Sequence, residues 1–301
     1  PFGLADRFAK DGHARSLVTR QPPFAKTIGI DQRPVDKQIR IAADRRCKMG
    51  IGPERQTEMT LVDGRVIGLG LGPQNLLHDL GLEIGIANTR GDIVGIMVDG
   101  ARMLTPGVLK YALAAGRMFE TPVTAIHGWH LGPHTTSPRR KHFTKAAEDA
   151  ALRGIEWPRN GYRLFEVSSP AGSNRHGYFG PVAESNCLFL RRDTVSRLGG
   201  FDERFQTVGG GLVNLDLFRR ACELPGTQLV VVLGEGSFHQ MHGGVSSNAS
   251  AEAQLEKWAV FEREYSEIRG IPYAVPSVPV EYIGHCPPEG MAYVRQSAAM
   301  T

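Results

Sequence analysis

The stretch that decides the fold runs Gly91-Asp92-Ile93-Val94-Gly95-Ile96-Met97-Val98-Asp99-Gly100. Its continuous apolar run, bounded by turn residues, indicates a buried strand that ends in an acid and a glycine. Thr105-Pro106-Gly107 then predicts a helix start, with Thr105 as the cap and Pro106 at the first helical position, and the helix covers residues 108–117. Residues 122–129 form a second apolar strand. Strand, helix and strand at this spacing predict a βαβ unit with parallel strands and a right-handed crossover.

Outward from this unit, hydrophobic periodicity and turn residues divide the rest of the chain. Residues 1–60 are interrupted by four prolines and show no clean strand period, whereas Leu61-Val62-Asp63-Gly64 indicates a strand end with a turn. Residues 132–180 form a long polar stretch. Loops of that length inside a compact domain more often have a function than serve only as connections. The remaining predicted elements are helices over 75–88, 144–153, 193–198, 215–223 and 251–268, and strands over 185–191 and 228–233.

The alternation of strands and helices predicts an α/β fold with a Rossmann-like, mostly parallel sheet flanked by helices in a single domain. Within it we distinguish three regions. Residues 1–60 are an N-terminal segment without a readable pattern, which could belong to the nucleotide-binding half or could be altered or truncated. Residues 61–250 are the core, and residues 251–301 are a C-terminal helix and tail.

Composition favours a globular protein in a reducing compartment. The chain has 301 residues, of which 41% are hydrophobic and 22% charged, so the charge-rich, core-poor signature of disorder is absent. No apolar run approaches the ~20 residues needed to span a bilayer. The start lacks a secretory pattern and the four cysteines lack metal-like spacing, so we expect a cytoplasmic protein.

The net charge of +4 is modest and gathers near the N-terminus. The simpler interpretation of this basic cluster is a solvent-exposed face, and the alternative is contact with an anionic partner such as a membrane surface. No nucleic-acid-binding motif accompanies the cluster. The residues concerned are Arg40, Arg45, Arg46 and Lys48.

Asp99 occupies the position where a ligand-binding acid is expected. In parallel sheets ligands bind beyond the carboxyl ends of the strands. A carboxylate there suits a hard cation such as Mg²⁺, which in turn can offset the charge of a bound anion. An Asp-Gly pair after an apolar strand is also a common turn, so Asp99 alone does not decide between the two interpretations.

Three further segments carry a family resemblance. Gly199-Gly200-Phe201-Asp202-Glu203-Arg204-Phe205, followed by residues 209–220, resembles the acceptor-side signature of the family two glycosyltransferases of the GT-A type. Residues 184–192 resemble the strand and paired arginines that precede that signature, and residues 91–103 resemble the strand that carries the DxD motif. Residues 128–133, 161–166 and 238–244 resemble strings of a bacterial subgroup, so the resemblance covers residues 75–250.

The resemblance implies a GT-A fold and a sugar transferase. The expected donor is a nucleotide-diphosphate sugar, the cofactor Mn²⁺ or Mg²⁺, and the acceptor a glycan or a lipid-linked hydroxyl compound in the synthesis of surface polysaccharide or another glycoconjugate. A place at the inner face of the membrane is compatible with such an acceptor. The donor's sugar and base, the acceptor, the stereochemical outcome and the oligomeric state stay open.

The chain departs from the family pattern at two positions that matter for chemistry. Ala101 stands where the second acid of DxD would be, and Asn214 stands where the family has the carboxylate that deprotonates the acceptor. Asp216 and Glu184 are then the candidates for the catalytic base, and the alternative is a reaction that does not use such a base. The alternative is a catalytically silent nucleotide-sugar-binding or scaffold protein of the same fold. A nucleotidyltransferase ranks last, because its glycine-rich, lysine-bearing opening loop is missing.

The remaining candidate residues follow from position and side-chain chemistry. His239 and His242 are candidate nitrogen ligands for a cation that one aspartate also holds. The alternative is that both are loop histidines hydrogen-bonded to the nearby backbone. Arg102 could pair with phosphate or form a surface salt bridge. Asp63 is the best candidate for a contact with the nucleoside. The alternative is that Asp63 only belongs to a turn. The acceptor pocket is assigned to aromatic and imidazole side chains, which could equally be buried in the core: Trp129, His130 and Tyr162.

Overall fold

The computed structural model describes residues 56–62, 65–71, 86, 91–97, 102–134, 137–207, 210–241 and 251–301. The protein is α/β, with two mixed sheets and flanking helices. Of the predicted helix over 75–88 only Ile86 is described, and it is helical. Asp63, Asp99 and His242 lie outside the described residues.

The strands, in chain order, are β1 Gln56–Val62, β2 Arg65–Leu71, β3 Ile93–Met97, β4 Arg102–Leu104, β5 Pro122–Ala125, β6 Gly128–Leu131, β7 Ser168–Pro170, β8 Cys187–Arg191, β9 Gln228–Leu233, β10 Ser237–His239 and β11 Val280–Gly284. The helices are α1 Val108–Met118, α2 Lys145–Gly154, α3 Arg192–Leu198, α4 Val213–Glu223, α5 Ala251–Arg269 and α6 Met291–Ala298.

The large sheet has the strand order β11-β9-β5-β8-β3-β1-β2 and is mixed, whereas the sequence predicted a mostly parallel sheet. Only β11, β9 and β5 are parallel neighbours. Strand β8 lies between β3 and β5 and is antiparallel to both. Strands β3 and β5, which the βαβ prediction made parallel neighbours, are therefore separated by β8, a strand from later in the chain. Apolar periodicity locates a buried strand but carries no information about its partner, which explains the difference.

The small sheet has the order β4-β10-β6-β7. Its central strand β10 is antiparallel to β4 and parallel to β6. The predicted single strand over 122–129 is in fact two, because the chain leaves the large sheet after Ala125 and enters the small one at Gly128. His127 lies between them, and its carbonyl accepts a hydrogen bond from the amide of Ser237.

Each of three small-sheet strands follows a strand of the large sheet. Strand β4 follows β3, β6 follows β5, and β10 follows β9. Strands β3, β5 and β9 all point the same way, because β5 is parallel to β9 and both β3 and β5 are antiparallel to β8. The small sheet is thus built from the chain that leaves the carboxyl ends of these strands, where ligands bind in α/β proteins.

The helices fall close to their predicted positions. Helix α2, predicted over 144–153, begins at Lys145, and Thr144 is its N-terminal cap, whose hydroxyl accepts from the amide of Ala147. Helix α1 differs, since Gly107 and not Thr105 is its N-terminal cap. The hydroxyl of Thr105 instead accepts a hydrogen bond from the amide of Gly236 at 2.8 Å. A cap inferred from local sequence fails here because a distant strand connection provides the partner.

The C-terminal region packs against the rest of the described chain. Strand β11 pairs with β9, and Tyr293 of α6 contacts the indole of Trp129 with ring centroids 4.5 Å apart. The division at residue 251 stays a prediction. Within the described ranges, no helix combines the length and the apolar character that crossing a membrane demands.

Candidate functional site

The small sheet brings three of the predicted site residues together. In its register His239 on β10 lies opposite Arg102 on β4 and opposite His130 on β6. Residues directly opposite each other on neighbouring strands share one face of a sheet. Arg102, His239 and His130 therefore form one line across the sheet, here named the basic row.

The members of the basic row are closely spaced and largely buried. The His130 and His239 rings have centroids 5.4 Å apart and planes at 77°. His239 is 5% exposed. Nδ1 of His130 is buried and has no hydrogen-bond partner among the described residues. On the far side of His239, the Arg102 guanidinium donates to the Ser237 hydroxyl at 3.1 Å.

The surroundings of His130 disfavour its protonation. Burial lowers the pKa of His130 most, and the nearby charges of His239, Arg140, Arg102 and His134 lower it further, to about 3. The His130 ring is therefore neutral at physiological pH and keeps a lone pair for a ligand. The guanidinium groups of Arg102 and Arg140 make this end of the small sheet attractive to an anion.

The depressed pKa of His130 predicts a pH-dependent stability. Because the folded-state pKa lies below the ordinary value of 6.5, its contribution is present above about pH 6.5 and is lost as the pH falls towards 3. One such group changes the free energy of unfolding by at most about 1.4 kcal/mol per pH unit. We expect His130→Gln to flatten the acid side of the stability profile, measured by urea unfolding with a chelator present.

His176→Gln is the control for this profile, because His176 is exposed and hydrogen-bonded only to its neighbour Arg175 among the contacts described. Its profile should match that of the wild type. Parallel profiles for wild type and His130→Gln would show that His130 titrates as an ordinary histidine.

The opposite face of the small sheet is an aromatic core. Trp129 and Phe238 stack across β6 and β10 with centroids 5.9 Å apart, and Phe165 and Tyr293 meet Trp129 edge-on. Trp129 is only 3% exposed. Adjacent residues of a strand point to opposite faces, so Trp129 cannot share a surface pocket with His130. Its assignment to the acceptor pocket stays a prediction.

Tyr162 belongs to a different cluster, built around the buried carboxylate of Glu235. The Tyr162 hydroxyl donates to Oε1 of Glu235 at 2.9 Å, and the Gly107 amide donates to Oε2 at 3.0 Å. His285 Nδ1 lies 3.3 Å from Oε1. A Cβ atom on residue 107 would lie 2.1 Å from the same carboxylate, which explains the glycine. Burial and the neighbouring Glu235 raise the pKa of Tyr162, so it stays a hydrogen-bond donor.

Glu184 is completely buried, and both of its carboxylate oxygens are occupied. Oε2 accepts from the Gly128 amide at 2.9 Å and from the Ser173 hydroxyl at 2.6 Å. Oε1 accepts from the amide and the side chain of Asn186. These four donors hold the start of β6 against the segment before β8. They leave this carboxylate no free oxygen for an acceptor hydroxyl.

Asp216 is also completely buried, and it forms two ion pairs. Arg269 donates to both of its oxygens at 2.6 and 2.7 Å, and Arg220 donates to Oδ2 at 2.7 Å. Arg220 additionally reaches the carbonyls of Leu198 and Gly200. Asp216 therefore joins α3, α4 and α5, and none of its described contacts reaches the basic row.

Sequence analysis missed Glu148, a buried carboxylate on α2 near the basic row. Its Oε2 accepts from the Met241 amide, two residues after His239, at 2.6 Å, and its Oε1 has no partner among the described residues. Burial raises its pKa, and the charge of Arg140 acts on both Glu148 and His130. An acid in the first turn of a helix is ordinary, so no sequence signal marked it.

Asp99, Asp63 and His242 lie outside the described residues, so their predicted roles stay predictions. Within the part of the chain that is described, no group of three or more His, Cys, Asp or Glu side chains is arranged to hold a metal ion. The residues that could contribute to a metal-diphosphate site are those of the basic row, with imidazole for the metal and guanidinium for the phosphate.

Searches for related proteins found that no protein-family model matches the chain and that no curated protein matches it.

Proposed function

We propose that this protein is a metal-dependent glycosyltransferase with a GT-A fold, which moves a sugar from a nucleotide-diphosphate donor to a hydroxyl of a glycan or lipid-linked acceptor. The observation that supports it best is the position of the basic row. Its three strands leave the carboxyl ends of β3, β5 and β9, which is the ligand-binding edge of an α/β sheet.

The chemistry of the basic row suits a leaving diphosphate. Arg102 offers a planar fork of donors for phosphate oxygens, and His239 offers a nitrogen ligand for a cation. Asp99, in the sequence between β3 and β4, would supply the carboxylate. A cation held there would offset the negative charge that develops as the sugar leaves.

The proposed setting is the cytoplasmic side of a bacterial cell, in the synthesis of surface polysaccharide. A lipid-linked acceptor would bring the protein to the inner face of the membrane as a peripheral partner. The resemblance of residues 199–220 to an acceptor-side signature supports this setting.

Calorimetric titration of UDP-, GDP- and dTDP-sugars, each with and without Mn²⁺, tests the proposal. We expect at least one donor to bind, and to bind more tightly with Mn²⁺. Arg102→Ala should weaken that binding by roughly 10-fold or more, since hydrogen bonds to charged groups contribute about 1.5–3 kcal/mol.

Arg197→Ala is the matched control, because Arg197 is exposed on α3. It should bind donor like the wild type. Absence of binding for all three donors, or equal affinities with and without Mn²⁺, would refute the metal-dependent transferase.

A catalytically silent nucleotide-sugar-binding protein is the second candidate. It is favoured by one observation, the complete engagement of both carboxylates predicted as the base: Glu184 accepts four hydrogen bonds, and Asp216 is paired with two arginines. Donor binding without release of the nucleoside diphosphate, in the presence of varied acceptors, would support this candidate.

A further inference from the structure

We infer that His130 and His239 together form a two-imidazole site for a borderline transition metal ion such as Zn²⁺ or Co²⁺. The inference rests on the proposed function for its biological role, since it names the metal and the ligands of that same site. It adds His130, which the sequence placed in the wall of an acceptor pocket, to the metal ligands.

The geometry of the pair carries the inference. Zinc–nitrogen bonds of about 2.0–2.1 Å and a tetrahedral angle place two coordinated imidazole centroids roughly 5 Å apart. The His130 and His239 centroids are 5.4 Å apart. Each ring is carried by a strand, and the two strands are parallel neighbours with these residues in register. The sheet therefore holds the two rings at a centroid separation close to that of a zinc-bound pair.

The state of His130 provides the second observation. Its Nδ1 is buried and has no hydrogen-bond partner among the described residues. Buried polar atoms are nearly always hydrogen-bonded, so one without a partner calls for an explanation such as a bound ion. A nitrogen lone pair suits zinc, copper, iron or nickel, whereas Mg²⁺ prefers carboxylate, carbonyl and water oxygens.

The neighbouring charges indicate what completes the coordination. Arg102 and Arg140 both act on His130 as positive charges, and they oppose a bare cation. An anion bound to the metal would be attracted by both guanidinium groups. The pair should therefore bind a metal ion more tightly when a diphosphate supplies oxygen ligands on the open side.

Metal binding by the 301-residue chain, without any donor sugar, tests the inference. Co²⁺ is titrated by visible absorption, and Zn²⁺ and Mg²⁺ by calorimetry, each with and without inorganic pyrophosphate. We expect binding of one Co²⁺ or Zn²⁺ ion to this pair, tighter with pyrophosphate, and much weaker binding of Mg²⁺. His130→Gln and His239→Gln should each weaken Co²⁺ binding by at least about 10-fold, since even outer partners of metal ligands contribute 10- to 100-fold.

A variant that carries both His130→Gln and His239→Gln distinguishes one metal ion shared by the two rings from two independent effects on metal binding. If both rings bind one ion, the second substitution should cost much less than the first, so the two effects are not additive. His176→Gln, at an exposed histidine, should bind Co²⁺ like the wild type. Unchanged Co²⁺ binding in His130→Gln, or additive losses in the double variant, would overturn the inference.

A measurement on the wild type covers the case in which a variant does not fold. Long-range proton–nitrogen spectra of the histidine rings report coordination directly. We expect the ring nitrogen signals of both His130 and His239 to shift on addition of Zn²⁺, and a shift confined to other histidines would refute the pair. Zinc binding by both rings without donor binding would contradict the proposed function alone, whereas donor binding with no effect of either ring on metal affinity would contradict only this inference.

Discussion

Replacement of Asp216 by asparagine is expected to lower the free energy of unfolding by about 3–5 kcal/mol, the usual cost of removing one partner from a buried ion pair. The Asp216 side chain has no exposed surface, while those of Arg220 and Arg269 are 22% and 20% exposed. An amide at this position cannot accept from both guanidinium groups in the same way, so Arg220 loses its carboxylate partner while Arg269 keeps its ion pair with Asp202. The effect should therefore be large although the substitution conserves shape.

The control for Asp216→Asn is Glu223→Gln on the same helix. Glu223 pairs with Arg219 at 2.7 Å, one turn apart, but its side chain is 48% exposed. Exposed pairs of this kind contribute about 0–1 kcal/mol. Urea unfolding of both variants measures the difference. If Asp216→Asn is as stable as Glu223→Gln and transfer falls by about 10² or more, Asp216 is the catalytic base after all.

Asp99→Ala is expected to remove the effect of Mn²⁺ on donor binding and to lower affinity in its presence by at least about 10²-fold, since a cation on a phosphoryl oxygen contributes several kcal/mol. The physical reason is that in the proposed site Asp99 would be the only acid of the DxD-like segment, where Ala101 stands at the place of the second acid. Calorimetry with the donor identified for the wild type, at matched Mn²⁺ concentrations, gives the measurement.

Asp92→Ala provides a matched control for Asp99→Ala, since Asp92 is an exposed acid at the opposite end of the β3 segment. It should retain both affinity and cation dependence. A wild-type-like response of Asp99→Ala to Mn²⁺ would show that the cation is held without this carboxylate, and the histidines of the basic row would then have to hold it alone.

The long helices and the strands β3, β8 and β9 could be predicted from the sequence, because each carries its own periodic or apolar signal. Strand β9 has the predicted bounds, whereas the short strands β4 and β10 of the small sheet were not predicted, because three residues are too few to show a period. The arrangement of the strands could not be predicted. A buried strand such as β3 shows the same apolar run beside a parallel or an antiparallel neighbour, and nothing local indicates that β8 separates β3 from β5.

The candidate site was predicted residue by residue but not as an arrangement. Arg102, His239 and His130 were each singled out for a different role, and only the register of β4, β10 and β6 places them in one line. Because side chains alternate along a strand, Trp129 faces the core. The predicted strand over 122–129 did not show this orientation, because it continued across the boundary between the two sheets. Burial of Glu184 and Asp216 depends on distant partners, which sequence spacing does not reveal.

The central position of β10 in the small sheet has a consequence for biosynthesis. The basic row needs residues 102, 130 and 239, and the aromatic face behind it is completed by Tyr293. Translation proceeds at about 5–20 residues per second, so roughly 7–27 s separate the synthesis of Arg102 from that of His239. During that interval β4 and β6 lack the strand that lies between them, and their unpaired edges are exposed to other chains. The nascent protein should therefore depend on chaperones until β10 is inserted, and slow codons placed shortly after the codon for His239 should change the yield of native protein.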